Sequence, residues 1–428
     1  MKTLKHVKVA TIFFLALSFI FPVTLIAQES IMVIMPRHEM DLKGIWEKQT
    51  AEFEQQTGIQ VELIQMSWDE VADKVLTDLA AGGGSYDVIE FDNGWVAKFV
   101  AADWVEPLNS FASQDYINSL LPGLVSTFSR GDDVLGIPWN NDTRFFFYNT
   151  AHLEKAGIDA PPKTWAEMIE QAKVLKERGV CEYPTAQYWE QGWALANSIA
   201  FYLYSFGGDY FNAEGKITIN QSPAIDALQF MVDMLTTNAL AHPSSITLSQ
   251  EAVGDLFYRG STTFFIQGPP GTFNYANDAT KSNIVGQVGV ASWLPAQSPE
   301  FQATLTLPEA FAIPKTSKNK EAAWKFIEFM ISKEKDKERA LEIGSLPLFT
   351  DLYTDEELLK LYPYWKQFGA QSAVARALPQ VEWYDELVQQ AIVSVQGALL
   401  GSKSVQEAAD EIADFLEGKP VDGKTLVR

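Results

Sequence analysis

The chain has 428 residues, 47% of them hydrophobic and 21% charged. That is too long for one small core and too apolar for a disordered chain, so two packed domains are expected. The formal net charge of −22 repels nucleic acid and anionic lipid and excludes functions built on bulk attraction to either. An acidic, solvated surface with no specific partner accounts for that charge equally well.

Residues 1–27 read as a targeting segment. Lys2, Lys5 and Lys8 precede an apolar run from Val9 to Ile26, and Leu25-Ile26-Ala27 is an imperfect small-residue cleavage site. A cleaved signal peptide is expected. A retained anchor is the alternative, because the run is near the lower limit of about 17 residues for a spanning helix. Cys181 is the only cysteine, which excludes an intrachain disulfide and all-cysteine zinc sites. It reads as an inert packed thiol. No cysteine follows the apolar run to carry a lipid, so the export signal points to the periplasm.

Ile31 to Met35 is a short apolar strand opening the mature chain. His38 and Glu39 follow its C-terminal end, the end that faces the ligand crevice in open α/β sheets. They are ligand candidates or ordinary loop residues. Leu42, Ile45, Trp46 and Phe53 recur at helical spacing, and Gly58 supplies the stop. Ile59, Val61 and Leu63 alternate as a strand. Ser67-Trp68-Asp69-Glu70 is a capping box for a helix ending in Gly82-Gly83-Gly84. Asp87 to Phe91 is a buried strand that completes β-α-β-α-β, and Asp92-Asn93-Gly94-Trp95 emerges from its end.

Leu135 to Thr150 is the pivotal stretch. Ile137-Pro138-Trp139 closes one β segment and Arg144 to Tyr148 forms a dense aromatic strand. Asn140, Asn141 and Asp142 between them suit a turn and can face a ligand. The chain is expected to leave one lobe here and enter a second. Gly136, Pro138, Asp142, Tyr148 and Asn149, then Lys155 to Ile158, Pro162, Thr164, Trp165 and Glu167, follow in the order and spacing of a known pattern. The chain thereby resembles the family 1 extracellular solute-binding proteins, the sugar receptors of ABC importers.

The resemblance implies an α/β, type II periplasmic-binding-protein fold with two discontinuous lobes joined by hinge crossings. The expected lobes are 28–141 with 305–345, and 142–304 with 346–428. It places a ligand-contacting acid and aromatic near Asp92 and Trp95. A carboxylate accepts several sugar hydroxyls and an indole covers the apolar face of a pyranose. Trp95 could instead fill the core of the next helix, but Val96, Phe99 and Val100 already supply that buried face.

Beyond the crossing, Thr164 caps a helix running to Arg178. Tyr183 to Tyr210 is unusually aromatic. Leu195, Ile199, Tyr202 and Phe206 form a helical stripe, whereas Trp189 and Trp193 precede or open that helix and suit a cleft wall. Gly207-Gly208-Asp209 resembles the family's motif at this place. Ser222-Pro223 starts a further helix, and another runs from Ser249 to Arg259. Thr262 to Ile266 reads as a strand running into Gln267-Gly268-Pro269. Val288 to Trp293 reads as a strand whose exit, Trp293, matches a cleft-facing position of the family. Leu305 to Pro314 is a second crossing. Pro308-Glu309-Ala310 stands where the family has a Gly-Gly pair, a departure that removes the resemblance's support for a ligand contact from this segment, although Glu309 can fill the space. Ser317 to Ser332 is amphipathic, Gly344 to Pro347 resembles a third crossing, and Ser404 to Glu417 is a final capped helix. Arg376, with Trp383 nearby, resembles the family's late ligand loop, although its proline sits three residues on; a surface ion pair is the alternative for Arg376.

Gly418 to Thr425 matches the Walker A pattern formally, but it follows a helix, contains Pro420 and opens none. His38, His152 and His242 are too scattered to suggest a metal cluster, and no cofactor is expected. The expected partners are a carbohydrate and the membrane subunits of an ABC importer, with no nucleic acid and a monomeric receptor. The alternative is an exported glycoside hydrolase, with acids such as Asp92 and Asp142 as its pair.

Overall fold

The computed structural model describes residues 29–38, 41, 43–212 and 214–419. The leader, Glu39 and most of the Gly418–Thr425 stretch lie outside the described residues.

The first sheet grows from β1 (Ser30–Pro36), which pairs in parallel along its whole length with β2 (Gln60–Met66) and, on its other side, with β3 (Val88–Asp92). The crossovers are α1 (Ile45–Thr57) and α2 (Trp68–Ala80). Gly58 ends α1 at φ 77, its N–H closing on the Glu54 carbonyl, a backbone turn that glycine enters without strain. Ser67 and Glu70 form the reciprocal cap at the start of α2.

Two more strands complete this sheet. β4 (Ile137–Asn140) lies at one edge, and β8 (Glu309–Ala312) returns much later in the chain to sit between β3 and β4, antiparallel to both. The second sheet centres on β5 (Phe145–Asn149), flanked antiparallel by β6 (Phe264–Gly268) and β7 (Val288–Val290). The chain therefore changes sheets between Asn140 and Phe145 and changes back between Val290 and Glu309.

The two connecting segments run side by side. Thr143 bridges Thr306, the Arg144 N–H donates to the Leu305 carbonyl, and the Leu307 N–H donates to the Asp142 carbonyl. The third connection follows Gly344, which ends the helix Lys333–Ile343 at φ 72. Past it, the Leu121 N–H still donates to the Leu348 carbonyl and Leu120 bridges Phe349, so this part of the chain remains tied to the first sheet's side.

The second sheet is packed by an aromatic helical layer. α3 (Trp193–Ser205) buries Leu195, Ile199 and Tyr202, and Trp165, Tyr202 and Phe230 pack ring on ring. The expected Ser222-Pro223 start is displaced by one residue: Pro223 is the cap and the helix begins at Ala224. No helix among the described residues is long and apolar enough to cross a membrane.

Candidate functional site

Side chains two apart on a strand share a face, so Glu90 and Asp92 of β3 point the same way. Asp92 pairs directly with Glu309 of β8, putting like charges opposite one another, an unfavourable arrangement for a sheet held by packing alone. Each of the three acids offers one oxygen within 4.8 Å of the others. A neutral donor reaches each of them. Trp139 Nε1 donates to Glu90 at 2.8 Å, Asn140 Nδ2 to Glu309 at 2.8 Å, and the Gly94 N–H to Asp92 at 2.7 Å.

Burial pushes the Glu90 carboxyl well above the usual carboxylate range, and Glu309 and Asp92 push it further. Burial also raises Asp92 to about 7, with the Gly94 N–H and Trp68 pulling down and Asp385 and Asp142 pushing up. At neutral pH the cluster therefore holds protons and can both donate to and accept from a hydroxyl. The same oxygens could also hold a hard cation, whose ligands are carboxylates.

Asp92 turns the chain by accepting from Gly94. A Cβ on Gly94 would come within 2.9 Å of the Tyr384 ring, so glycine lets the second lobe's helix Tyr384–Leu399 sit against this turn.

Asp92 and Glu309, but not the buried Glu90, open onto a cavity of about 470 Å³. The first lobe supplies Pro36, Arg37, Trp68, Asp69, Asp92, Asn93, Trp139 and Glu309. The crossings supply Asp142 and Leu307, and the second lobe supplies Arg144, Tyr188, Glu190 to Ala194, Asn197, Gln250, Glu251, Gln267 and Leu378. Trp68 and Trp193 meet across the gap, their ring centroids 5.1 Å apart. The Arg144 guanidinium forks between Asp142 and Gln250, which fixes its planar donors.

Of the residues singled out from sequence, Asp92, Asp142 and Trp193 line this cavity, as does Glu309. Trp95 does not. It is 1% exposed, stacked on Phe99 at 5.7 Å and lying beneath Trp68 at 5.5 Å; the core of its own helix claims it. Trp189 is fully buried against Tyr202, and its neighbour Tyr188 faces the cavity instead. Trp293 lies three residues past β7 with Nε1 donating to the Pro162 carbonyl and Lys163 Nζ 4.5 Å from its ring. Arg376 pairs with Asp209 at 2.7 Å, stacks on Tyr204 and lines a separate hollow. Trp383 packs on Phe211 and Phe415. Glu39 falls outside the described residues; His38 is buried edge-on to Trp139.

Trp68, Arg144, Tyr188 and Gln267 line the cavity without having been singled out. Trp68 had a signal, since it follows the C-terminal end of β2 much as Asp92 closes that of β3. Glu90 was hidden inside a strand read only as core.

Comparisons with known proteins agree with this fold. Maltose-bound T. maritima MalE3 superposes with a TM-score of 0.82 at 29% identity, covering 91% of this chain and 99% of that one. An ABC transporter solute-binding protein from Thermotoga lettingae, bound with α-D-tagatose, gives 0.78 at 26% identity, over 91% and 98%. A protein of Deinococcus radiodurans named "Probable ABC transporter-binding protein" is 28% identical over 319 residues, 72% of this chain and 74% of its own. The fold is thus the two-lobed type II periplasmic-binding fold. The family profile of the bacterial extracellular solute-binding proteins matches residues 39–337, and the chain belongs to that family.

Proposed function

We propose that this protein is a periplasmic receptor that holds a sugar or polyol between its lobes and delivers it unaltered to the membrane subunits of an ABC importer. The observation that carries this reading is the wall of the cavity. Trp68 and Trp193 offer apolar faces from opposite lobes beside Asp92, Asp142, Arg144 and Glu309, which is what an uncharged polyhydroxylated ring requires. A ligand touching both walls stabilises the closed arrangement over the open one. The moving units follow the expected 28–141 with 305–345, and 142–304 with 346–428, turning at the laced crossings, except that Leu348 and Phe349, bonded to Leu121 and Leu120, travel with the first unit. The receptor works as a monomer, and its acidic surface disfavours nucleic acid.

A thermal-shift panel of maltose, D-tagatose, mannitol and erythritol tests the proposal. Ligand at a hundredfold excess over Kd stabilises by ~2.7 kcal/mol, so at least one compound should raise Tm by several degrees and be recovered intact. No shift from any of them would count against the sugar reading. Cleaved maltose would favour the hydrolase.

A further inference from the structure

One cavity residue is held in a conformation its type avoids. β6 carries an extra residue against β5. Phe145 pairs with Gly268 and Phe147 with Phe265, so three steps on one strand oppose two on the other. This is a β-bulge, a device that re-aims side chains beside functional sites. The bulge places Gln267 at φ 58, in the left-handed region that glycine enters freely and a long side chain rarely does. Gly268 is the very next residue, yet the glutamine occupies the strained place.

The Gln267 side chain is 0% exposed and lines the cavity. Neither its carboxamide oxygen nor its nitrogen has a hydrogen-bond partner. Tyr188 Oη donates to the Gln267 carbonyl at 3.0 Å and holds the bulge in place. A strained backbone and an unpaired buried amide both destabilise the ligand-free fold. A ligand that pairs the amide removes the second cost. Asn93 and Asn197, from opposite lobes, also present unpartnered carboxamide oxygens in the same wall.

We infer that Gln267 is a specificity-determining residue that reads two neighbouring hydroxyls of the ligand, its Nε2–H donating to one and its Oε1 accepting from the other. The inference rests on the receptor reading and narrows it. An ionised carboxylate only accepts and a guanidinium only donates, whereas a carboxamide does both from one plane at any pH, as adjacent hydroxyls do. The favoured ligands therefore carry a free vicinal diol on the side facing the second lobe. Loss of either hydroxyl leaves a buried amide atom unpaired, which is why such a site rejects deoxy analogues.

The test uses the full mature chain, the panel of maltose, D-tagatose, mannitol and erythritol, and singly deoxygenated analogues of whichever compound binds. Gln267→Gly accepts the backbone angle and deletes the amide. It should melt no lower than wild type without ligand, bind at least about tenfold more weakly, and lose most of its preference over one deoxy analogue. Gln267→Asn tolerates the same angle but withdraws the amide; it should keep stability and lose affinity in the same direction. Unchanged affinity and unchanged deoxy discrimination in both variants would overturn the inference, as would a ligand-free Tm that falls in both. If wild type binds no panel compound, the receptor reading fails. The inference rests on that reading and falls with it, whereas a bound compound whose affinity and deoxy discrimination neither variant alters overturns the inference alone.

Discussion

Asp92 shows how one position can be legible in chemistry and illegible in energetics. Its place after a buried strand marks it as a crevice residue, but only the assembled sheet brings Glu309 opposite and Glu90 alongside. Folded Asp92 holds its proton up to about pH 7, against an ordinary value of 3.8. The folded state therefore binds more protons across that interval, and its stability falls as pH rises through it. Asp92→Asn should remove this share, so the variant should gain on wild type as pH rises from about 4 to about 7 in chemical unfolding, and no further above that. Parallel pH profiles would contradict it. Asp336, raised to about 6 by burial, has the same sign but is present in both proteins. The tryptophans were harder to assign. Periodicity shows that a helix needs a buried face, not which of two indoles lies on top, and here Trp68 covers Trp95. Trp95→Ala should open a core cavity and cost ~3–5 kcal/mol in denaturant unfolding. A stability within 1 kcal/mol of wild type would show it is not core.

Elements specified by neighbouring residues were the most readable. The Ser67–Glu70 and Ser404–Glu407 capping boxes and the Gly58 stop all form where the sequence puts them, because a cap is a contract among four residues. Strands were read less closely, since partners set their limits. The segment expected over Thr262 to Ile266 runs Phe264–Gly268, and the one expected to reach Trp293 stops at Val290. The bulge that carries Gln267 is a register effect between distant strands, and nothing local announces it. Because Ser67 caps the helix that presents Trp68, Ser67→Ala should lower stability by ~1 kcal/mol and weaken ligand binding as well. An affinity unaffected by the lost cap would mean that Trp68 is positioned by the lobe core alone.

For the whole molecule, the two-lobed arrangement was legible mainly because the crossing at Asn140 to Arg144 combines a polar elbow with an abrupt change of strand character. The structure adds that this crossing is laced to the second one through Thr143 and Thr306, so the two bend as a pair. It also shows why distant candidates scatter. Arg376 and Trp383 occupy plausible places in the chain, but Asp209 and Phe415 hold them on the second lobe's own surface and core. The central claim is that the ligand occupies the cavity walled by Trp68 and Trp193 and binds both lobes at once. Calorimetric titration of the sugar selected by the panel into wild type and Trp193→Ala tests it most directly. The account predicts a Kd at least about tenfold weaker in the variant, from the lost ring face. Equal affinities in the two proteins would contradict it.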